Sequence, residues 1–190
     1  MTKLDALVSS RICHDLISPV GAIGNGVELL EEVAAQMPEI SLIAESVENA
    51  KAKLQYFRVC FGKLSPGAQT STHEMRTFAN AMLQSGRVTL NWQIEENGFP
   101  RETVKLVYLL LLCVETALPI GGTITVTQSG ENWKIYVEAT RLQRADAWDI
   151  FAGAATPDDL PPAQVQFPIA ANLGRPVRAN FTETSLTVTL

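Results

Sequence analysis

The stretch CHDLISPVGAIGNGVELLEEVAAQM, residues 13–37, carries the pattern that decides the fold of the first third of the chain. Its apolar or small residues recur at alternating intervals of three and four: Cys13, Leu16, Val20, Ile23, Val27, Leu30, Ala34 and Met37. This spacing places them along one side of a helix, as in helices that pack together at a shallow angle. The pattern therefore predicts a long helix with one apolar seam.

A second helix with the same periodicity follows Pro38, which interrupts the first run because proline does not fit a helix interior. Its seam consists of Ile40, Ile43, Val47, Ala50, Leu54, Phe57, Phe61 and Leu64. Two such helices joined by a short break predict an antiparallel hairpin. Further apolar residues flank the first seam: Ile12, Ile17, Leu29 and Val33. Because this face is wider than a hairpin covers, it favours a homodimeric four-helix bundle; the alternative is that the rest of the chain folds back over it.

The texture of the sequence changes after Ser-Pro-Gly at residues 65–67, so we predict a hairpin domain over residues 1–66 and a second domain over residues 71–190. Residues 72–84, 100–117 and 161–173 read as helices, and residues 88–94, 123–128, 133–140, 177–181 and 185–190 read as strands. This order predicts an α+β fold with helices layered on a mixed sheet.

The composition excludes several classes of protein. The 190 residues include 20 acidic and 15 basic side chains, a formal net charge of −5, which argues against a nucleic-acid partner. The longest apolar run, residues 106–114, is too short to cross a membrane, and the N-terminus lacks a secretory signal, so we expect a cytoplasmic protein. Three cysteines without CxxC spacing predict reduced, mostly buried thiols, and two histidines are too few for a histidine-rich metal site.

One segment, residues 11–20, combines groups suited to phosphoryl chemistry. His14 follows Cys13 of the seam, a position that points towards solvent, and a neutral imidazole has a nucleophilic ring nitrogen. Ser10 and Ser18 lie four residues to either side, Arg11 three residues before, and Asp15 directly after it. On the residues alone, an ordinary surface histidine is the alternative. His73, in a polar setting at the start of a predicted helix, reads as a solvated or capping residue.

The sequence HDLISPV, residues 14–20, resembles the H-box of two-component histidine kinases, commonly H-E-L-R-T-P-L. The resemblance implies that His14 is the phospho-acceptor, that Asp15 is the adjacent catalytic acid, and that Arg11 and Ser18 lie near the phosphoryl group. Pro19 matches the proline that kinks the kinase helix, whereas Ile17 departs from the usual arginine.

The rest of the chain is similar in layout to the ATP-binding domain of those kinases, a Bergerat or HATPase-like α/β sandwich. Glu115 matches the motif, but Leu112 and Thr116 stand where the kinases have asparagines. No D-x-G-x-G follows the strand that ends near residue 140, and residues 164–169 contain no glycine for a phosphate loop. These losses imply a domain that does not bind ATP and has no cofactor or metal of its own; a divergent, working ATP site is the alternative.

Together these features resemble the ChpT-type histidine phosphotransferases of alphaproteobacteria, over nearly the whole chain. The resemblance implies a phosphorelay in which His14 accepts phosphate from the receiver domain of a hybrid histidine kinase and passes it to the receivers of response regulators. Each receiver would supply the Mg²⁺. The alternatives are an ATP-dependent histidine kinase and a non-catalytic or phosphatase-type dimer that binds a response regulator.

Overall fold

The protein is described by a computed structural model over residues 3–34, 37–65, 67–84, 87–95 and 98–190. Its first part is a helical hairpin in which α1 (Lys3–Ala34) packs against α2 (Pro38–Phe61). Pro38 occupies the first turn of α2, where a missing N–H leaves no helical hydrogen bond unmade. The predicted hairpin and the break at Pro38 are confirmed.

The apolar seam of α1 divides between two surfaces. Cys13 and Val27 are each 7% exposed, whereas Leu16, Ile23 and Leu30 of the same seam are 46%, 55% and 54% exposed. The hairpin therefore buries only part of its apolar residues, and the others form an exposed apolar stripe along α1.

The second part of the chain contains the remaining elements. In chain order they are β1 (Gln69–Thr70), α3 (Thr72–Leu83), β2 (Val88–Gln93), β3 (Phe99–Pro100), α4 (Arg101–Thr116), β4 (Gly122–Ser129), β5 (Asn132–Glu138), a 3₁₀ helix (Asp146–Ala152), a short 3₁₀ turn (Pro162–Gln164), α5 (Gln166–Ala171), β6 (Arg178–Phe181) and β7 (Ser185–Thr189). The sheet order is β2-β4-β5-β7-β6, with β2 parallel to β4 and the other neighbours antiparallel. Strands β1 and β3 form a separate antiparallel pair.

One face of the sheet carries the core. Along β5, Trp133, Ile135 and Val137 are buried and alternate with exposed Lys134, as expected for a strand with one covered face. Helix α4 lies in the middle of the core, and residues 104–114 are all buried because α2, α3 and α5 pack around it. The predicted α+β layer of helices on a mixed sheet is confirmed.

Three details differ from the predictions. The pairing of β1 with β3 was not predicted, and it places Pro100 in a strand, one residue before the helix that was predicted to include it. The late helix is interrupted, since Pro168 has no N–H to bond to residue 164, and regular α-helix begins only at Gln166. The 3₁₀ helix over Asp146–Ala152 was not predicted, because seven residues give too short a periodic signal to recognise.

The end of α2 is fixed to α4 by buried polar contacts. The Tyr56 and Tyr108 rings stack with centroids 4.1 Å apart, and the Tyr56 hydroxyl donates to the Tyr108 carbonyl at 2.7 Å. Lys105 is 3% exposed; its Nζ donates to the Gly62 carbonyl at 2.9 Å, at the C-terminus of α2. Burial lowers the pKa of this amine. The hairpin and the second part therefore share one core, and the domain boundary at residues 66–71 stays a prediction.

Replacement of Tyr56 by phenylalanine tests this junction. The ring remains, but the buried Tyr108 carbonyl loses the hydroxyl that donates to it, so we expect the free energy of unfolding to fall by about 1–3 kcal/mol. Urea denaturation followed by circular dichroism measures the change. The control is Tyr136→Phe, which removes a hydroxyl bonded to Glu138 near solvent and should change the free energy by less than about 0.5 kcal/mol. Equal losses in the two variants would contradict the expectation.

Candidate functional site

The candidate phospho-acceptor lies on the surface of α1. His14 is exposed, and so are Ser18, one helical turn later, and Pro19, inside the helix. The predicted exposure of His14 is confirmed. The side chains of Arg11, Asp15 and Ser10 lie outside the described part of the structure, so their predicted roles beside the phosphoryl group stay predictions.

The pairing of α1 with α2 follows from one close approach. A Cβ on Gly24 would meet the Lys51 side chain at 2.4 Å and Val47 at 3.3 Å, so Gly24 lies opposite Val47 and Lys51. Eleven residues are close to three full helical turns and return to the same face. Counting eleven back on α1 and eleven forward on α2 therefore places Cys13 opposite Arg58.

The charge of Arg58 acts at this position. Burial raises the pKa of the Cys13 thiol, and the nearby Arg58 guanidinium opposes that rise. Arg58 was not among the predicted site residues, because the only cation predicted near His14 was Arg11 on the same helix. The equal spacing of Cys13 to Gly24 and of Val47 to Arg58 is the signal that could have found it.

The two sides of the hairpin differ in chemistry. Each residue advances about 100° around a helix, so Ile12 and Leu16 lie on one side of Cys13, and His14 lies on the other. Two antiparallel helices are related by a local twofold axis perpendicular to their common plane, which places Phe57, one residue before Arg58, on the side of Ile12. The exposed apolar stripe is therefore on the side of the hairpin opposite His14. Its exposed members on this side include Ile12, Leu16, Ile23, Leu30 and Ile43.

The motif positions at the end of α4 are occupied by the protein's own contacts. The Thr116 hydroxyl donates to the Cys113 carbonyl at 2.7 Å, and Leu112 is 8% exposed. Gln166 at the start of α5 is buried, and its amide donates to the carbonyls of Ala163 at 2.9 Å and Leu112 at 3.4 Å. Glu115 is paired with Arg87 at 3.2 Å.

Aromatic packing holds α5 in place. Phe167 is fully buried, with its ring centroid 5.2 Å from that of Trp148 and 5.9 Å from that of Phe151, both in the 3₁₀ helix. The ring centroid of Phe181, in β6, lies 5.3 Å from that of Trp148. Residues 164–169 correspond to the glycine-rich phosphate loop of the histidine kinases. Here they end the 3₁₀ turn and begin α5, which packs on α4.

The other residues singled out in the sequence, His73 and the three cysteines, lie outside the His14 site or inside the core. His73 is exposed in the first turn of α3, and the cap of that helix is Ser71, whose hydroxyl accepts from the Glu74 N–H at 3.2 Å. Cys13, Cys60 and Cys113 are free and buried, as predicted, and burial raises the pKa of Cys60 and Cys113. Among the described residues, no group of three or more histidine, cysteine or acidic side chains could hold a metal ion.

A comparison with known families decides the classification of this fold. The family of histidine phosphotransferase C-terminal domains matches residues 72–182, more than half of the chain. The chain belongs to the histidine phosphotransferase family. The match covers most of the region predicted to be HATPase-like, and the α+β arrangement of that region is confirmed.

Two relatives agree with this membership. The protein phosphotransferase ChpT of Brucella abortus (strain 2308) is 41% identical over 130 residues, which are 68% of this chain and 62% of that protein. The match thus spans less than two thirds of this relative's length. A solved structure of a bacterial phosphotransferase is 30% identical and covers 100% of this chain and 97% of its own, with a TM-score of 0.69.

Within the described ranges, no helix combines a sufficient length with a sufficiently apolar sequence to span a membrane.

Proposed function

We propose that this histidine phosphotransferase is a phosphorelay intermediate that carries the phosphoryl group on His14. A nitrogen of the His14 ring attacks the phosphorus of an aspartyl phosphate on a donor receiver domain. The new P–N bond forms as the bond from phosphorus to the carboxylate oxygen breaks, and the electron pair stays on the donor's aspartate. The aspartate of a response regulator then takes the group from His14 by the reverse chemistry.

The observation that carries this proposal is the position of His14. Its side chain is exposed on a long helix, on the side of the hairpin away from the apolar stripe. Phosphoryl transfer depends mostly on in-line positioning and on neutralisation of charge, so a nucleophile on a rigid, accessible helix meets the main requirement. Ser18, exposed on the next turn, is a hydrogen-bond donor for the phosphoryl oxygens, and we assign the same vicinity to Arg11 and Asp15.

The second part of the chain does not fit a magnesium nucleotide. A hard cation needs oxygen ligands, but the Leu112 side chain has none, and the Thr116 side chain is shorter than the asparagine of the kinases and turns its hydroxyl to the Cys113 carbonyl of its own helix. Gln166 donates to the Leu112 carbonyl of α4, and Phe167 is buried against Trp148 and Phe151, where phosphates would need open backbone N–H groups. We therefore propose that the protein binds no ATP and that its partners' receiver domains supply the Mg²⁺.

We further propose that the protein is a homodimer. The apolar stripe on the side opposite His14 runs along α1 and includes Ile43 of α2, and a second copy related by a twofold axis would cover it as a four-helix bundle. This arrangement leaves His14 accessible in both protomers. We expect the protein in the cytoplasm, because three free thiols are typical of a reducing compartment.

Two labelling reactions test the function. Incubation of the purified protein with radiolabelled ATP and Mg²⁺ is expected to leave it unlabelled, because the nucleotide site lacks its ligands. Addition of a hybrid kinase with its receiver domain is expected to label the protein, and a response regulator then removes the label. Labelling by ATP alone would show a histidine kinase instead. Binding of a regulator without any phosphohistidine would show a non-catalytic or phosphatase-type partner.

A further inference from the structure

We propose that Arg58 of α2 is a phosphoryl-binding residue, whose guanidinium neutralises charge on the phosphoryl group while that group is on His14. The inference rests on the proposed function of His14 and adds a residue from the other helix of the hairpin. It assigns the cation of the site to a position that is 44 residues away in sequence but adjacent in the folded hairpin.

The register of the hairpin places Arg58 beside His14. Gly24 lies against Val47 and Lys51, and the eleven-residue steps from these contacts bring Cys13 and Arg58 to the same level. His14 is the next residue on α1 after Cys13. The electrostatic effect of Arg58 on the Cys13 thiol is a second sign that the guanidinium lies close to this turn of α1.

The side chain of Arg58 can extend to either of two sides of the interface between α1 and α2. Cys13, which faces it, is buried, yet Arg58 is exposed, so its long side chain leaves the interface between the helices. On one side lie Ile12, Leu16 and Phe57, where a charge would lose its hydration when a second copy covers the apolar stripe. On the other side lies His14. The guanidinium is therefore stable on the side of the nucleophile, where it stays in contact with water or with phosphate.

The chemistry suits an arginine at this place. A phosphoryl group on histidine carries up to two negative charges on three oxygens, and the planar guanidinium offers paired N–H donors that match them. Arg58 forms and breaks no covalent bond during transfer. Its contribution is to offset the repulsion as an anionic phosphoryl group approaches, and to hold the oxygens for in-line attack.

Lys51 provides a matched control on the same helix. It lies seven residues before Arg58, about 10 Å along the axis, and it faces Gly24 rather than Cys13. Its ammonium is already paired with Glu48 at 2.6 Å. Lys51→Gln removes the same charge from the hairpin without removing it from the His14 site.

The test uses phosphoramidate, a small donor that needs no partner protein. In this reaction the His14 nitrogen displaces ammonia from phosphorus, so one P–N bond replaces another. We expect Arg58→Gln to lower the rate constant of His14 phosphorylation about tenfold or more, Arg58→Lys to restore part of it, and Lys51→Gln to change it less than about twofold. Circular dichroism of the three variants checks that the hairpin is folded.

A second readout reports directly on the phosphoryl group. A nearby cation favours its dianionic form, so the pKa of the phosphohistidine measured by ³¹P nuclear magnetic resonance is expected to be higher in Arg58→Gln than in the unchanged protein. Rates and titrations of Arg58→Gln that equal those of the unchanged protein would overturn the proposal, as would equal losses in Lys51→Gln. If the unchanged protein forms no phosphohistidine, the function proposed for His14 fails instead, and Arg58 loses its role with it.

Discussion

Replacement of His14 by alanine is expected to abolish phosphorylation of the protein completely. The exposed imidazole of His14 is the proposed nucleophile, and alanine has no atom that attacks phosphorus. Transfer of radiolabel from a phosphorylated receiver domain to the protein, and from the protein to a response regulator, measures both half-reactions. Because His14 is exposed and alanine favours helices, the variant should keep the melting temperature of the unchanged protein.

The chain offers a matched control for this substitution. It has two histidines, and His73 is also exposed in a helix, at the start of α3. His73→Ala is expected to transfer phosphate at the unchanged rate. A phosphohistidine is labile in acid and stable in base, which distinguishes it from a phosphoester. Acid-labile label that persists in His14→Ala and disappears in His73→Ala would assign the phosphohistidine to His73 and contradict the proposal.

Replacement of Ile23 by aspartate is expected to convert the proposed dimer to a monomer. Ile23 is 55% exposed in the single chain and lies in the middle of the apolar stripe. A carboxylate there would be removed from water in the four-helix bundle without a partner, so the dissociation constant should rise by at least about a hundredfold. Sedimentation equilibrium over a range of protein concentrations measures the change.

Asn25→Asp adds the same charge to the same helix and is the control for the dimer. Two residues further along α1, Asn25 is exposed and lies on the side of His14. This variant should sediment as the unchanged protein does. An unchanged protein that is monomeric at all concentrations would contradict the proposed homodimer. An Ile23→Asp variant that stays dimeric would contradict the proposed interface.

Much of this fold could be predicted from local sequence. The three–four spacing and Pro38 determine the hairpin, and the alternation of Trp133, Ile135 and Val137 marks a strand with one buried face. The sequence could not predict which residues of the α1 seam are buried by α2 and which stay exposed. Periodicity shows which residues share a side of the helix and not which neighbour covers them. Lys105 is a similar case, since its burial depends on the carbonyl of Gly62, 43 positions earlier in the chain.

The candidate site was predictable only in part for the same reason. A motif on one helix identified His14 and its sequence neighbours, because all of them lie within eight residues of each other. Arg58 belongs to a different segment, which carries no motif, and it lies near this turn only because of the register of the hairpin. The replacements at Leu112 and Thr116 were visible in the sequence, whereas the hydrogen bond from Gln166 to the Leu112 carbonyl depends on how α5 lies on α4.

The burial of Cys13, Cys60 and Cys113 has a practical consequence. Maleimide reagents attack accessible thiolates, and buried thiols with raised pKa values react slowly with them. A dye can therefore be attached at Asn25→Cys without first removing the native cysteines. Fluorescence from that dye would follow the arrival and departure of each receiver domain in real time.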